Sequence, residues 1–275
     1  MSNSKATQNE YVLGTHDDEL QRLCFQNRLW ASEATAIWQR AGFAPGQTIL
    51  DVGCGPGFTT LDIVSLVGPT GRVVGVDESE RFLNRLNETC RVNGINNVEA
   101  VKADVQRIEL SPNTFDGAYT RWVLCFVNDP EAVVQRVAGA LKPGATFAIQ
   151  DYLNYRALSV SPKGESMARV VQAVDASWRQ RGGDPHICLR LPTMLANAGL
   201  EIVDVRPIVR FARPGSALWE WPGTFFRNYL PTLVSMGLLS DKERKEFEQD
   251  WAELSRNPNA VFCTPIVMDI IARKT

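Results

Sequence analysis

Thr48–Thr60 reads TILDVGCGPGFTT: a short apolar run, an acid, three glycines at alternate positions, then the start of a helix. Asp51 stands two residues before Gly53, and Gly55 and Gly57 follow. Glycines at that spacing let the backbone turn sharply and let a bound group approach main-chain N–H groups. Beyond them, Leu61, Ile63, Val64 and Val67 carry an apolar helical face. The stretch therefore predicts strand, loop and helix, the first crossover of a nucleotide-type α/β site. The dinucleotide fingerprint G-x-G-x-x-G is not met, because Phe58 stands where its third glycine belongs.

The segments that follow narrow the reading. RVVGVD (Arg72–Asp77) is β-branched and ends in an acid. A carboxylate at a strand tip accepts both hydroxyls of an adenosine ribose, since an ionised carboxylate is acceptor-only with two oxygens. NVEAVKAD (Asn97–Asp104) predicts a third strand; Asp104 at its tip would accept from an adenine amine beside the Val105 N–H. A fourth strand enters through FDGAY, and LKPGATFAIQDY leads through a Pro-Gly turn into a fifth.

This ordered set resembles the class I S-adenosylmethionine-dependent methyltransferases. DVGCGPG (Asp51–Gly57), Asp77, VKAD with Asp104, FDGAY and LKPG (Leu141–Gly144) carry the resemblance over more than a third of the chain. Ala145 departs from the family pattern, where a second glycine follows LKPG. The lead-in Tyr11-Val-Leu-Gly14, with Glu19, Arg22, Leu23 and Gln26, is similar to that of the small-molecule branch containing the ubiquinone/menaquinone-type methyltransferases. The resemblance implies S-adenosyl-L-methionine as donor and S-adenosyl-L-homocysteine as product. It also implies Tyr11, Asp51, Gly53, Cys54, Gly55, Gly57, Asp77, Glu78, Asp104, Val105 and Arg121 as the donor-binding set.

Composition fits a globular enzyme. The 275 residues are 44% hydrophobic and 22% charged. A net charge of −2 gives no electrostatic reason to expect nucleic acid. No apolar run reaches bilayer length, and the first residues lack the apolar core of a signal peptide. The six cysteines are scattered without a C-x-x-C pair, so the expectation is a reducing cytoplasm, no disulfide framework and no metal site. Cys54 reads as a small loop residue rather than a nucleophile.

The expected fold is a doubly wound, Rossmann-like α/β sheet of about seven strands, the last antiparallel, with N-terminal helices and a helical cap. Residues 1–44 read as a helical lead, 45–151 as the donor-binding core, and 152–275 as the rest of the sheet with cap insertions at about 157–188 and 214–256. The periodicity predicts helices over Ser166–Gln180 and Leu189–Ala198. It also predicts a sixth strand over Glu201–Ala212 and, following the family, a closing strand over Val261–Arg273.

Methyl transfer from a sulfonium needs alignment and desolvation, and a base only when the nucleophile arrives protonated. The remaining candidates therefore have two readings each. Tyr11 either covers the donor or packs as an N-terminal aromatic. Arg121 either forks onto the donor's carboxylate or forms a surface ion pair. Asp151 and Tyr152, at the tip of the fifth strand, lie where a base or substrate contact belongs; Asp151 also suits a helix cap. His186, one of two histidines, is either a base or an exposed loop residue. Trp122, Phe126, Trp178, Trp219, Trp221, Phe225 and Phe226 line an acceptor pocket or pack the core. The function expected is methyl transfer to a small molecule, at O or N by default and at C as in the quinone branch, with a homodimer left open. The alternatives are an NAD(P)-dependent oxidoreductase and a non-catalytic cofactor-binding regulator.

Overall fold

The computed structural model describes residues 17–275. The described residues begin with α1 (Asp17–Ala41), β1 (Thr48–Val52), α2 (Phe58–Val67), β2 (Arg72–Asp77), α3 (Glu80–Asn93) and β3 (Val98–Lys102). Next come β4 (Phe115–Arg121), α4 (Pro130–Ala140), β5 (Leu141–Asn154), β6 (Ser159–Ser161), α5 (Glu165–Gln180) and α6 (Leu191–Asn197). The chain closes with β7 (Leu200–Ile208), β8 (Phe211–Ala212), α7 (Ala217–Ser235), α8 (Asp241–Leu254), β9 (Val261–Cys263) and β10 (Ile266–Lys274).

Seven strands form the main sheet in the order β3-β2-β1-β4-β5-β10-β7. β1 pairs in parallel with β2 and β4, while β10 runs antiparallel between β5 and β7. The order turns back between β1 and β4, which opens a crevice at the strand carboxyl ends. β1 is apolar on both faces, with Ile49, Leu50 and Val52 all buried, as a central parallel strand requires. Two residues of the family-like motifs serve this frame. Asp116 of FDGAY accepts from the Thr48 N–H at 2.9 Å and from Lys142 Nζ of LKPG at 2.6 Å, tying the starts of β1, β4 and β5 together.

The helices start where their caps say they should. Ser79 accepts from the Phe82 N–H, Asp129 from the Ala132 N–H with Pro130 next to it, and Ser240 with Glu243 makes a full capping box. The described part of the lead forms the helix α1, whose last turn is riveted to the far side of the sheet. Arg40 Nε donates to Asp204 at 2.7 Å and Arg40 Nη2 to Asp269 at 2.6 Å. Asp269 also accepts from Gln150 Nε2 at 2.7 Å, and Gln150 from Tyr119 Oη at 2.5 Å.

The last two expected strands are each divided. Glu201–Ala212 splits into β7 in the main sheet and β8 in a second sheet of order β6-β9-β8, and Val261–Arg273 splits into β9 and β10. Pro265 has no N–H to give a ladder, so the closing strand breaks there and its first three residues pair elsewhere. The break is stitched by Thr264 N–H to Arg210 O at 2.9 Å and by Arg210 N–H to Thr264 Oγ1 at 3.0 Å. The helix expected over Leu189–Ala198 contracts to α6, behind a short 3-10 turn at Ile187–Leu189. Among the described residues no helix is long and apolar enough to cross a membrane.

Candidate functional site

One cavity of about 1070 Å³ opens at the crevice between β1 and β4 and runs under α1, α5 and α7. Its first half is the glycine loop with the strand tips. Gly57 has φ 84° and caps α2, and a Cβ there would fall 2.3 Å from Leu86 Cδ1. Gly53 has φ 70°, and a Cβ there would meet Val123 Cγ2 at 2.3 Å. At Gly55 (φ 55°) a Cβ would meet nothing within 4 Å, so the loop presents bare backbone to open space. The loop is pinned to the second strand tip, because the Gly55 N–H donates to Asp77 Oδ2 at 2.8 Å and the Ser79 N–H to Oδ1 at 2.9 Å. Each carboxylate oxygen keeps a lone pair for a further donor.

Acids crowd this half. Burial pushes the Asp51 carboxyl up to about 6, against its 2.7 Å hydrogen bond from Thr60 Oγ1. Burial also raises Asp77, against the N–H bonds from Ser79 and Gly55. Glu78 is raised by burial and then by the charges of Asp77 and Asp104. Asp104 turns one oxygen to the Gln106 side chain and N–H, at 3.0 and 2.9 Å. Burial raises the Cys54 thiol well above its ordinary range.

Arg121 bridges the halves. Its Nη2 donates to Asn27 Oδ1 at 2.7 Å and Thr59 Oγ1 at 3.1 Å, so α1 and α2 aim it. Its Nη1 is buried with no hydrogen-bond partner among the described residues. Trp122 follows in the left-handed region at φ 53°, where an aromatic residue is strained. That conformation is held by Trp122 N–H to Gln150 O at 3.0 Å. The indole stacks against Tyr152 and Trp221 and takes the edge of Trp30 at 5.1 Å.

The second half is aromatic. Trp122, Phe126, Tyr152, Tyr155, Trp178, Trp221, Phe225 and Tyr229 line it. Their rings are in mutual contact, with Tyr155 and Trp178 centroids 4.6 Å apart and Phe126 and Trp178 at 4.7 Å. Trp219 is fully buried against Trp251 and belongs to the core instead. α1 adds Arg22 and Gln26 to the wall. Gln26 Oε1 accepts from Trp221 Nε1 at 3.0 Å and from Arg22 Nη1 at 2.9 Å. Sequence reasoning named Arg22 and Gln26 only as lead-in residues and left out Asn27, Thr59, Tyr155 and Tyr229. The i, i+4 spacing of Arg22 and Gln26 and the Tyr152-x-x-Tyr155 pair were the available signals.

The two expected catalytic groups are corrected by their placement, because neither lines the cavity. Asp151 is fully buried and accepts from the Cys125 N–H at 3.2 Å and the Tyr152 N–H at 2.8 Å. Burial pushes it up to about 6 against those N–H bonds, and it fastens the loop after β4 to the tip of β5. His186 turns away to Asp175, with Nε2 3.0 Å from Oδ1. Asp175 also takes Arg156 at 2.8 Å and Arg179 at 3.1 Å, so the histidine is one arm of a structural ion-pair cluster. Tyr11 lies outside the described residues. Among the described residues no group of three or more His, Cys, Asp or Glu side chains forms a metal-type cluster.

Fold and site define a nucleotide-type α/β protein whose crevice at the strand tips opens into an aromatic chamber. A family described as "Methyltransferase domain" matches residues 44–184, more than half of the chain, and the chain belongs to that family. Its resemblance to the class I S-adenosylmethionine-dependent methyltransferases is thereby established, and the dinucleotide oxidoreductase is set aside. The chain is 34% identical over 112 residues to cycloartenol-C-24-methyltransferase 1 of Oryza sativa subsp. japonica, covering 40% of this chain and 32% of that protein. It is 34% identical over 122 residues to the ubiquinone/menaquinone biosynthesis C-methyltransferase of Klebsiella pneumoniae, covering 42% of this chain and 49% of that protein. The match thus spans a third to a half of these curated relatives. Geranyl diphosphate C-methyltransferase from Streptomyces coelicolor A3(2) superposes with a TM-score of 0.59 at 17% identity, over 98% of this chain and 91% of that one. At that identity the likeness is one of fold.

Proposed function

We propose that the chain transfers a methyl group from S-adenosyl-L-methionine to a small, largely apolar acceptor bound under the α1, α5 and α7 cap. The observation that carries this reading is the continuity of the cavity from the glycine loop into the aromatic chamber. The donor supplies an activated methyl group on a sulfonium. The residues present fit it. Asp77 retains lone pairs for ribose hydroxyls, Asp104 and Val105 suit the adenine edge, and bare backbone at Gly55 admits a close ligand. The orphaned Arg121 Nη1 suits the donor's carboxylate, and the acids Asp51, Asp77 and Glu78 favour a ligand that carries positive charge. Trp122, Tyr152 and Trp178 hold the acceptor, and their aromatic surround keeps water from the reacting groups.

The organisation proposed is a donor-binding core over about 45–151, a lead over 1–44 and a cap drawn from the later insertions. A net charge of −2 supports a small-molecule acceptor over nucleic acid. Six unpaired cysteines support a reducing, cytoplasmic setting. The decisive experiment is calorimetric titration with S-adenosyl-L-homocysteine, alongside a screen of apolar, aromatic and hydroxylated acceptors for methylated product by mass spectrometry. Saturable binding with product formation supports the reading. Saturable binding without product across that screen favours the non-catalytic regulator.

A further inference from the structure

Arg121 lines the cavity at the junction of its two ends and forms no ion pair with a described residue. Arg22 and Arg40 differ, since each is held on carboxylates: Glu19 for the first, Asp204 and Asp269 for the second. The charges of Arg121 and Asp51 act on each other without such a pair. Its Nη1 is buried and unpartnered, and a group in that state carries a desolvation cost that an acceptor atom in a ligand removes.

The guanidinium is aimed by a relay that starts between α1 and α2. Asn27 Nδ2 donates to Asp62 Oδ2 at 2.9 Å. A carboxylate only accepts, so this bond fixes the amide with its Oδ1 on the opposite side. There Oδ1 accepts from Arg121 Nη2 at 2.7 Å and from the Thr59 hydroxyl at 3.2 Å. Thr59 Oγ1 itself accepts from Nη2 at 3.1 Å, so both hydrogens of Nη2 are used. Of the two amino groups of the fork, Nη1 is the one left for a ligand. The Trp122 ring, 5.2 Å from Arg121 Cζ, backs the arrangement. Successive residues of α1 thus serve opposite ends of the cavity: Gln26 holds Trp221 of the aromatic chamber, and Asn27 holds Arg121.

We propose that Asn27, oriented by Asp62, is a positioning residue for Arg121, and that this relay makes the protein select a donor by its α-carboxylate. This rests on the methyltransferase reading above. Asp77 and Asp104, proposed for the adenosine part, are acids and offer a carboxylate nothing to bind. Arg121 does, and a planar fork meets a carboxylate well only when its plane is held. Asn27 acts through Arg121 and not on the reacting atoms.

The test is calorimetric titration of the full chain with S-adenosyl-L-homocysteine and with its decarboxylated analogue, which keeps the adenosine, the sulfur and the amine. The unaltered chain should bind the first about thirtyfold more tightly, the worth of one charge-assisted contact. Arg121→Gln should bring that ratio down to unity or below, by weakening S-adenosyl-L-homocysteine alone. Asn27→Ala should lower the ratio about fivefold. Asn27→Asp should lower it further, because the new carboxylate engages the guanidinium itself. In Arg121→Gln and Asn27→Ala, affinity for the analogue and the melting temperature should not fall, which a merely structural role would not give. A ratio near unity in the unaltered chain, a ratio untouched by either of those two variants, or equal losses for both ligands overturns the proposal. Tighter binding of the analogue by the unaltered chain overturns it in favour of a site that reads the amine alone. Absence of saturable binding of either ligand counts against the methyltransferase reading itself. Saturable binding of both at equal strength removes only the Arg121 relay.

Discussion

The two ends of the cavity are built by opposite means. The donor end is made of backbone, glycines and strand-tip acids, all supplied between Asp51 and Arg121 by a regular alternation of strand and helix. The acceptor end is made of side chains gathered from Arg22 in α1 to Tyr229 in α7, with aromatic rings in place of acids. On the proposed function, donor recognition belongs to the sheet's switch point and acceptor recognition to tertiary packing. A chain built this way can exchange its acceptor end while its donor end stays as it is.

The contrast breaks most visibly at Asp77. Asp77→Ala removes the acceptor of two loop N–H bonds together with the one proposed for the ribose, so affinity for S-adenosyl-L-homocysteine should fall on the order of a hundredfold or more by calorimetry. The chamber's affinity for a neutral aromatic probe should change little. Equal loss at both ends would mean that the halves are not independent.

Gly57→Ala should be next. It forces a side chain into a left-handed position and against buried Leu86. Urea denaturation should show a loss of about 3 kcal/mol, from strain plus overpacking.

A pH series sharpens the comparison further. Asp51 titrates at about 6, so donor affinity should weaken as pH falls through 6, because the acid that favours a cationic ligand is neutralised. Binding of a neutral, non-ionising aromatic probe should stay flat over the same range, since among the described residues no acid lines that end. Stability moves the other way. Asp51 and Asp151 have folded values near 6, above the ordinary carboxylate value near 3.8. Their contribution is therefore fully present below about pH 4 and lost as pH rises through about 6. Asp151→Asn should flatten that part of the melting-temperature profile.

The smallest effect belongs to His186. His186→Ala should leave turnover within about twofold and stability within about 1 kcal/mol, because Asp175 keeps both arginines. A large fall in turnover would return His186 to the reacting groups.

The same division governs what was legible in the sequence. That Asp51, Gly53, Gly55, Asp77 and Asp104 share one wall of the cavity could be read because each stands at a strand tip or in the loop that follows one. Pro265 carried the signal that would have split the closing strand, and Arg22 with Gln26 the signal of a polar helix face. Asp151 and His186 misled because residue type and chain position say nothing about direction. Asp151 is absorbed by the N–H groups of Cys125 and Tyr152, and His186 by a carboxylate fully buried in α5. Tyr155 was missed because its partners arrive from other elements, Trp178 among them.

The most direct test of a two-ended methyltransferase cavity is calorimetric titration of S-adenosyl-L-homocysteine into three proteins: the unaltered chain, Asp77→Ala, and the Tyr152→Phe/Tyr155→Phe double variant. The account predicts saturable binding to the unaltered chain, a loss on the order of a hundredfold for Asp77→Ala, and a change within about twofold for the double variant. Absence of saturable binding to the unaltered chain, or full affinity in Asp77→Ala, would contradict it.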